Sequence, residues 1–401
     1  MTKTKSFMID NYNINEPIII YGASVYGEIA YHALRELGIK PDYFCDQARE
    51  KSTYFDIPVI RLQDLITMKE ANIIIASADY FNEIKDELEG IGFSQLFDMT
   101  ELVRIDIPDQ VLSNRAKEMY SNREHYIDVV HNSTNHNALV INRIQYVVSE
   151  RCSLKCKDCT HLMQYYQKPM DIDLDRFKQA FERLLDADLM ILELRILGGE
   201  PFMNQEMYKV IDWYHDNDKI QSISVYTNGT IIPSERILQS LQKEKVKVHI
   251  SNYGLNQERV SKLVNVLKEH KIKFFERIYD NWQDAGDLKF RDYSKEHMET
   301  IFSQCFERNC ITFFKGELHR CPRSAHAMNL GAMPIIKEDF VDLLNSDTHN
   351  SELLKDIEKL LKKKYIEACN YCNGLNNHMQ NIPPAIQTNT PLMYKKIDDT
   401  E

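Results

Sequence analysis

Three cysteines within one short run, Cys152, Cys156 and Cys159, could do chemistry that no single side chain can. They stand in Glu150-Arg-Cys-Ser-Leu-Lys-Cys-Lys-Asp-Cys-Thr160, a C-x3-C-x2-C spacing directly after the apolar run 144–148. Three thiolates this close can hold three irons of one [4Fe–4S] cube, whereas full cysteine ligation needs four. The fourth iron is then open to a small molecule. The spacing therefore points to a redox enzyme working through a substrate-binding cluster. Zinc is the competing reading, because His161 could complete a Cys3His set, although it lies only two residues beyond Cys159.

A second group contains Cys305, Cys310, Cys321, Cys369 and Cys372. The stretch 311–319 reads as a β-hairpin turning at Gly316. Cys305 to Cys321 fits C-x10-G-x4-C, and Cys369-Asn-Tyr-Cys372 is a C-x2-C further on. A zinc ribbon is one reading of this group. Cys305 and Cys310 compete for a place beside Cys321, Cys369 and Cys372. Cys45 stands alone next to an expected strand and reads as a small buried hydrophobe.

Composition sets the frame for these sites. The 401 residues suggest two or three domains, and the net charge of -11 implies no broad basic face. Nucleic acid is accordingly not expected as a partner. No run approaches the ~20 apolar residues of a membrane span, and the first residues lack an apolar signal core. A cytoplasmic location is expected. A reducing compartment keeps thiols free, so grouped cysteines there mean metal or redox chemistry.

The elements that must position these residues fall into two α/β series. In 1–104, strands are expected at 17–21, 43–45 and 73–76, with helices at 25–37 and 80–90. This is the pattern of a Rossmann-like domain. Its first turn, Gly22-Ala-Ser-Val-Tyr-Gly27, carries the outer glycines of G-x-G-x-x-G, with Ser24 at the middle position. Asp46 lies where an acid could take a ribose hydroxyl. Gly22, Ser24, Gly27 and Asp46 are thus candidates for a nucleotide or nucleotide-sugar site; docking or assembly is the alternative use of such a domain. The segment resembles the small N-terminal Rossmann-like domains of sugar acetyltransferases and other surface-polysaccharide enzymes. Residues 105–140, polar and rich in Asn and His, read as a linker with a helix near 110–120.

The second series, 141–300, places strands at 144–148, 192–197, 222–226, 247–251 and 273–277. Helices are expected at 173–187, 205–217, 234–243 and 257–270. This rhythm suggests an open barrel of βα units with function at the C-terminal strand ends, which is where the three-cysteine loop falls. A cysteine-rich region, 301–385, and a flexible tail, 386–401, complete the chain. Met203 and Met207 read as core, and 355–364 as a solvated helix face.

Leu197-Gly-Gly-Glu-Pro201 ends the second strand of this series. Together with C-x3-C-x2-C, it resembles the radical S-adenosylmethionine (SAM) superfamily over about residues 143–280. The resemblance implies an α/β fold with a partial (β/α)6 TIM-type barrel. It implies that Cys152, Cys156 and Cys159 bind a [4Fe–4S] cluster and that Gly198, Gly199, Glu200 and Pro201 hold SAM. Thr227, Asn228 and Ser251 match positions that touch its ribose and carboxylate. The residue before the last cysteine, often aromatic, is Asp158, so adenine packing is expected from His161 or Leu162. The second cysteine group resembles the SPASM region or its shortened twitch form, a small C-terminal β-hairpin plus helix domain. This implies one auxiliary [4Fe–4S] cluster, electron transfer, and a donor such as flavodoxin or ferredoxin.

The expected reaction is hydrogen abstraction from a carbohydrate or nucleotide sugar, giving oxidation or epimerisation. A peptide maturase is the alternative, and a zinc-stabilised binding protein without redox activity is the alternative of another class. Candidates for the pocket are His161, Gln164, Tyr165 and Tyr166 after the cluster loop, and Arg323, His326 and Asn329 after Cys321. Of these, Arg323, His326 and Tyr165 are catalytic candidates, with Arg323 able to bind a phosphate. Cys310 is a candidate hydrogen-atom donor for epimerisation.

Overall fold

The computed structural model describes residues 5–8, 11–46, 53–78, 80–121, 123–135, 139–345, 349–376 and 379–397. They form two compact units, Met1–Asn137 and Ala138–Glu401.

The first unit is built on short apolar runs. Its strands are β1 (Lys5–Ser6), β2 (Ile18–Tyr21), β3 (Tyr43–Cys45), β4 (Thr53–Tyr54), β5 (Ile57–Ile60), β6 (Asn72–Ile75) and β7 (Leu96–Asp98). They form one sheet in the order β1-β7-β6-β2-β3-β5-β4. All pairs are parallel except β4 with β5. β2 and β6 are buried at every position, as expected for parallel strands covered on both faces. Cys45 is buried at the end of β3. The helix Val25–Glu36 follows β2 and stops before Gly38, which takes φ +74.

The expected linker is instead largely helical and belongs to this unit. Helices run Asn114–Ser121 and Arg123–Asn135. Fully buried Tyr126 ties the second helix to the sheet: its hydroxyl donates to the Ile75 carbonyl and accepts from the Met99 amide, both at 3.1 Å. Ile127, Val129 and Val130 of the same helix are buried with it, a short apolar patch within an otherwise polar stretch that leaves little periodic signal in the sequence.

The second unit carries the cysteines. Five parallel neighbours, β8 (Leu139–Ser149), β9 (Leu189–Gly198), β10 (Ile220–Thr227), β11 (Val246–Asn252) and β12 (Phe274–Ile278), alternate with helices. Helix Leu174–Asp186 starts at Asp173, whose carboxylate accepts from the Arg176 amide at 3.1 Å. It buries Leu174, Phe177, Phe181, Leu184 and Leu185 in the main core. That core takes Ile144 and Tyr146, Leu194 and Ile196, Ile223 and Val225, and Val248 and Ile250 from successive strands. The intervening residues lie on the other face, because side chains alternate along a strand.

Next come β13 (Trp282–Gln283), β14 (Ile311–Phe314), β15 (Glu317–His319), β16 (Phe340–Asp342) and β17 (Asn381–Ile382). β14 and β15 form the expected hairpin, but it does not stand apart. β14 pairs in parallel with β8, Ile311 opposite Ile144, so the sheet runs β12-β11-β10-β9-β8-β14-β15-β16. The open edge of β8 is thereby paired. Residues expected as a separate C-terminal domain complete the sheet and stay within the second unit.

The expected flexible tail is also corrected by hydrogen bonding. The Lys157 amide donates to the Ile386 carbonyl (2.7 Å) and the Thr388 amide to the Lys155 carbonyl (2.8 Å). Further on, the Leu392 amide donates to Gln164 and the Ile397 amide to Gly331. Residues 398–401 lie outside the described residues. Among the described residues, no helix is long and apolar enough to cross a membrane.

Candidate metal centre

Two glycines at the end of β9 decide where the cysteine loop sits. The Gly199 amide donates to the Ser149 carbonyl (2.8 Å), and the Glu200 amide donates to the Arg151 carbonyl (2.7 Å). A Cβ on Gly198 would meet the Ser149 oxygen at 2.2 Å. One on Gly199 would meet the Arg151 oxygen at 2.2 Å and the Cys152 Cβ at 2.9 Å. Only backbone without side chains can approach this closely, so the glycines hold the start of the loop against the strand end.

The three thiols are mostly or wholly buried and feel one another. Burial pushes Cys156 up to about 12, with Cys159 adding to the shift. Burial also raises Cys152 and Cys159. Three crowded neutral thiols are a ligand set that a cationic cluster would turn into thiolates. Donors for sulfur are in place: the Leu154 amide (3.4 Å) and Asn228 Nδ2 (3.6 Å) on Cys152, and Gln387 Nε2 (3.3 Å) on Cys156. These residues fit an iron–sulfur cube with one open iron. Gln387 was not visible as a site residue from sequence, since it lies in the tail. Its Oε1 also accepts from the Lys155 amide at 2.8 Å. Gln387→Leu is expected to lower the reduction potential of this cluster by on the order of tens of millivolts, because hydrogen bonds to sulfur favour the reduced form. An EPR-monitored redox titration measures it.

Glu200 is fully buried and already engaged. Oε1 accepts from the Thr227 hydroxyl (2.8 Å) and the Phe202 amide (3.2 Å), and Oε2 from the Asn228 amide (2.9 Å). Burial pushes its carboxyl up to about 7. It therefore fastens the end of β9 to the end of β10, and an ammonium group would have to share a carboxylate held by three donors. Pro201 opens the short turn Pro201–Met203. Asn228 also donates to the Ser153 hydroxyl at 3.0 Å, and the Ser251 side chain bonds Tyr253.

Cys305, Cys321, Cys369 and Cys372 line one recess together with apolar groups such as Ile301, Phe302 and Tyr371 and the charged Glu307, Arg308 and Arg323. Burial pushes Cys305 up to about 12, with Cys372 as the next contributor. The Gly374 amide donates to Cys372 Sγ at 3.3 Å. The four thiols suit a fully cysteine-ligated cluster. Cys310 is not among the residues lining this recess. It is fully buried, and its thiol is influenced by Glu307, Arg143 and Arg195. Among the described residues, no three His, Cys, Asp or Glu side chains are grouped to hold a single metal ion; the cysteines of a cube sit on separate irons.

The remaining candidates are mostly committed to packing. Arg323, expected to reach a phosphate, donates through one terminal nitrogen to the Gly286 (2.6 Å) and Asp287 (3.1 Å) carbonyls. Tyr165 stands edge-on to Tyr394, with ring centroids 5.6 Å apart. His326 is fully buried, with Nδ1 2.8 Å from the Tyr166 hydroxyl. Asn329 joins Tyr166 (2.9 Å) to Glu150 (3.1 Å). Leu162, at φ +61, is wholly buried, and the His161 ring lies 5.9 Å from that of His326. Leu162 therefore offers no surface to an adenine, and His161 is turned to His326.

In the first unit, Gly22, Ser24, Gly27 and Asp46 do come together. A Cβ on Gly27 would lie 2.0 Å from the Gly22 oxygen, and Gly22 takes φ +116. Asp46 Oδ2 accepts from the Ala23 amide at 2.8 Å, so part of its carboxylate serves the turn.

Residues 146–298 match the model of the Radical SAM superfamily. The chain thus carries a radical SAM domain, a class that uses a [4Fe–4S] cluster and SAM. It is 27% identical over 226 residues to the radical SAM cyclopropyl synthase TigE of Paramaledivibacter caminithermalis, covering 52% of this chain and 44% of that protein. It is 32% identical over 134 residues to a GTP 3',8-cyclase of Clostridium acetobutylicum, covering 33% and 41%. The chain thus spans less than half the length of these two relatives. Among solved structures, Streptococcus suis SuiB bound to S-adenosylmethionine is similar at TM-score 0.29 and 18% identity, over 50% of this chain and 45% of that one. BtrN in complex with AdoMet and 2-DOIA is similar at TM-score 0.35 and 17% identity, over 58% and 93%.

Proposed function

We propose that this chain is a radical SAM enzyme that oxidises or epimerises a carbinol carbon of a carbohydrate or nucleotide-linked sugar. When bound, the cluster and SAM supply a 5′-deoxyadenosyl radical, which takes a hydrogen atom from a C–H bond that acid–base groups cannot activate. The observation that carries the reading is the convergence of Cys305, Cys321, Cys369 and Cys372 on one recess. An auxiliary cluster with four thiolates has no open iron, so it suits electron transfer. Removing a hydrogen atom from a carbinol carbon leaves one electron to be taken up, and such a cluster would accept it.

The chain's own residues divide the remaining work. Gly198 and Gly199 let the strand end press on the cysteine loop, and Glu200 ties that end to β10. Asn228 and Gln387 direct N–H groups at sulfur. Cys310, outside the recess, is left as the candidate hydrogen-atom donor for epimerisation. The glycine turn of the first unit supports a nucleotide-linked substrate. Flavodoxin or ferredoxin is the proposed donor.

The test is anaerobic incubation of reconstituted protein with SAM, reductant and nucleotide sugars deuterated at the carbinol carbon. Deuterium is expected in the 5′-deoxyadenosine formed. Formation of unlabelled 5′-deoxyadenosine with every sugar, beside label transfer from a deuterated peptide, would replace this reading with a peptide maturase.

A further inference from the structure

Asp339 ends the short turn Lys337–Asp339, just before β16, and is fully buried. A carboxylate this deep needs partners, and it has them on two sides. Oδ2 accepts from the Ala368 amide at 3.0 Å, and Oδ1 accepts from the Glu367 amide at 3.3 Å. Those amides open the turn Glu367–Tyr371, which carries Cys369 and leads directly into Cys372. Oδ1 also accepts from Lys363 Nζ at 2.9 Å. The Asp339 backbone reaches a second ligand segment: its carbonyl accepts from the amide of Arg320, the neighbour of Cys321, at 3.1 Å. One residue thus joins the C-x2-C turn to the cysteine that follows the hairpin.

Holding a turn does not by itself call for a charge, since a neutral side-chain oxygen also accepts from a backbone amide. The carboxylate adds negative charge beside the Ala368 amide, one residue from Cys369. Burial raises the Cys369 thiol most, and the Asp339 carboxylate adds to the rise. The same field opposes an electron added to a cluster on that sulfur, because both place negative charge near a carboxylate in a poorly screened interior. Lys363 offsets this field from outside: its side chain is 22% exposed and that of Asp339 is 0% exposed. Glu307, Arg308 and Arg323 also line the recess, and they stay constant when only the Asp339–Lys363 pair is changed.

We propose that Asp339 is a positioning residue of the four-cysteine site and that the Asp339–Lys363 pair tunes the potential of a cluster held there. This rests on the reading above that these four thiols hold a cluster. The hydrogen bonds of the pair fix the turn that presents Cys369 and Cys372. Its charge balance sets how readily the cluster takes the electron left by hydrogen abstraction. Without the carboxylate a cation remains, the reduced cluster is favoured and the potential rises. Without the lysine an anion remains, the reduced cluster is disfavoured and the potential falls. Loosening of the turn alone would not move the two variants in opposite directions.

The test is an EPR-monitored redox titration of the reconstituted full chain, with iron analysis and thermal melting as controls. SAM added to the same samples marks the signal of the three-cysteine cluster, so the auxiliary signal is the one SAM leaves unchanged. Wild type, Asp339→Asn and Lys363→Met are each expected to hold about eight irons per chain. The auxiliary potential is expected to move up in Asp339→Asn and down in Lys363→Met. The double variant is expected to return toward the wild-type value. Should Asp339→Asn lose the auxiliary irons, Lys363→Met still reads the charge, because it leaves the two amide bonds to the carboxylate in place. About eight irons with a potential unmoved by Lys363→Met, or moved the same way in both variants, overturns this inference and leaves the cluster standing. A wild-type chain with about four irons and no SAM-insensitive signal overturns the cluster reading, and this inference with it.

Discussion

Replacing Gly199 by alanine is expected to strip iron from the cysteine loop and to lower 5′-deoxyadenosine formation by about 100-fold, the scale of a 1 Å misplacement at a reacting centre. The new Cβ would stand 2.2 Å from the Arg151 oxygen and 2.9 Å from the Cys152 Cβ. Both neighbours are backbone or directly bonded to it, so neither can swing aside. The strand end and the loop must separate, and the two backbone hydrogen bonds that join them, Gly199 to Ser149 and Glu200 to Arg151, lengthen or break. Cys152 then moves relative to Cys156 and Cys159. Iron per chain and EPR of the reduced protein read the loss, and circular dichroism checks that the sheet persists. Retention of full iron with unchanged SAM cleavage would show that the close approach is not what holds the loop.

Cys305→Ala and Cys310→Ala are expected to part company. Each of the four recess cysteines would hold its own iron, so loss of Cys305 should reduce a preparation of about eight irons per chain to about four. Cys310→Ala should keep both sets, because Cys310 is not a lining residue of the recess. Iron analysis and Mössbauer spectra separate the two variants. Turnover then adds a second readout. Oxidation survives Cys310→Ala, whereas epimerisation through a Cys310 hydrogen atom ends with the substrate configuration unchanged or the radical quenched by solvent.

Much of the frame was legible because buried parallel strands are written as continuous apolar runs. The runs at 144–148 and 222–226 each lie inside an observed strand, β8 and β10. The three-cysteine loop was legible because its candidate ligands are neighbours in the chain. What was hidden depends on distant pairing. Cys305 and Cys310 both satisfy local spacing, and only the fold shows which one meets Cys369 and Cys372. β14 pairs with β8 across more than 160 positions, as in the Thr312–Gln145 contact, and no local pattern announces that.

Glu200 was read as one of the residues holding SAM because its motif is local. Its buried bonds to Thr227 and Asn228 arise only when two strand ends meet.

Gln387 meets Cys156 across 231 positions of sequence. A ribosome adds roughly 5–20 residues each second, so the metal loop is synthesised on the order of 10–50 s before the segment that covers it. Throughout that interval the nascent thiols are open to delivery of iron and sulfide, and equally to oxidants. Cover by this later segment can only follow exposure of the loop, so a cluster loaded before it arrives would be shielded afterwards.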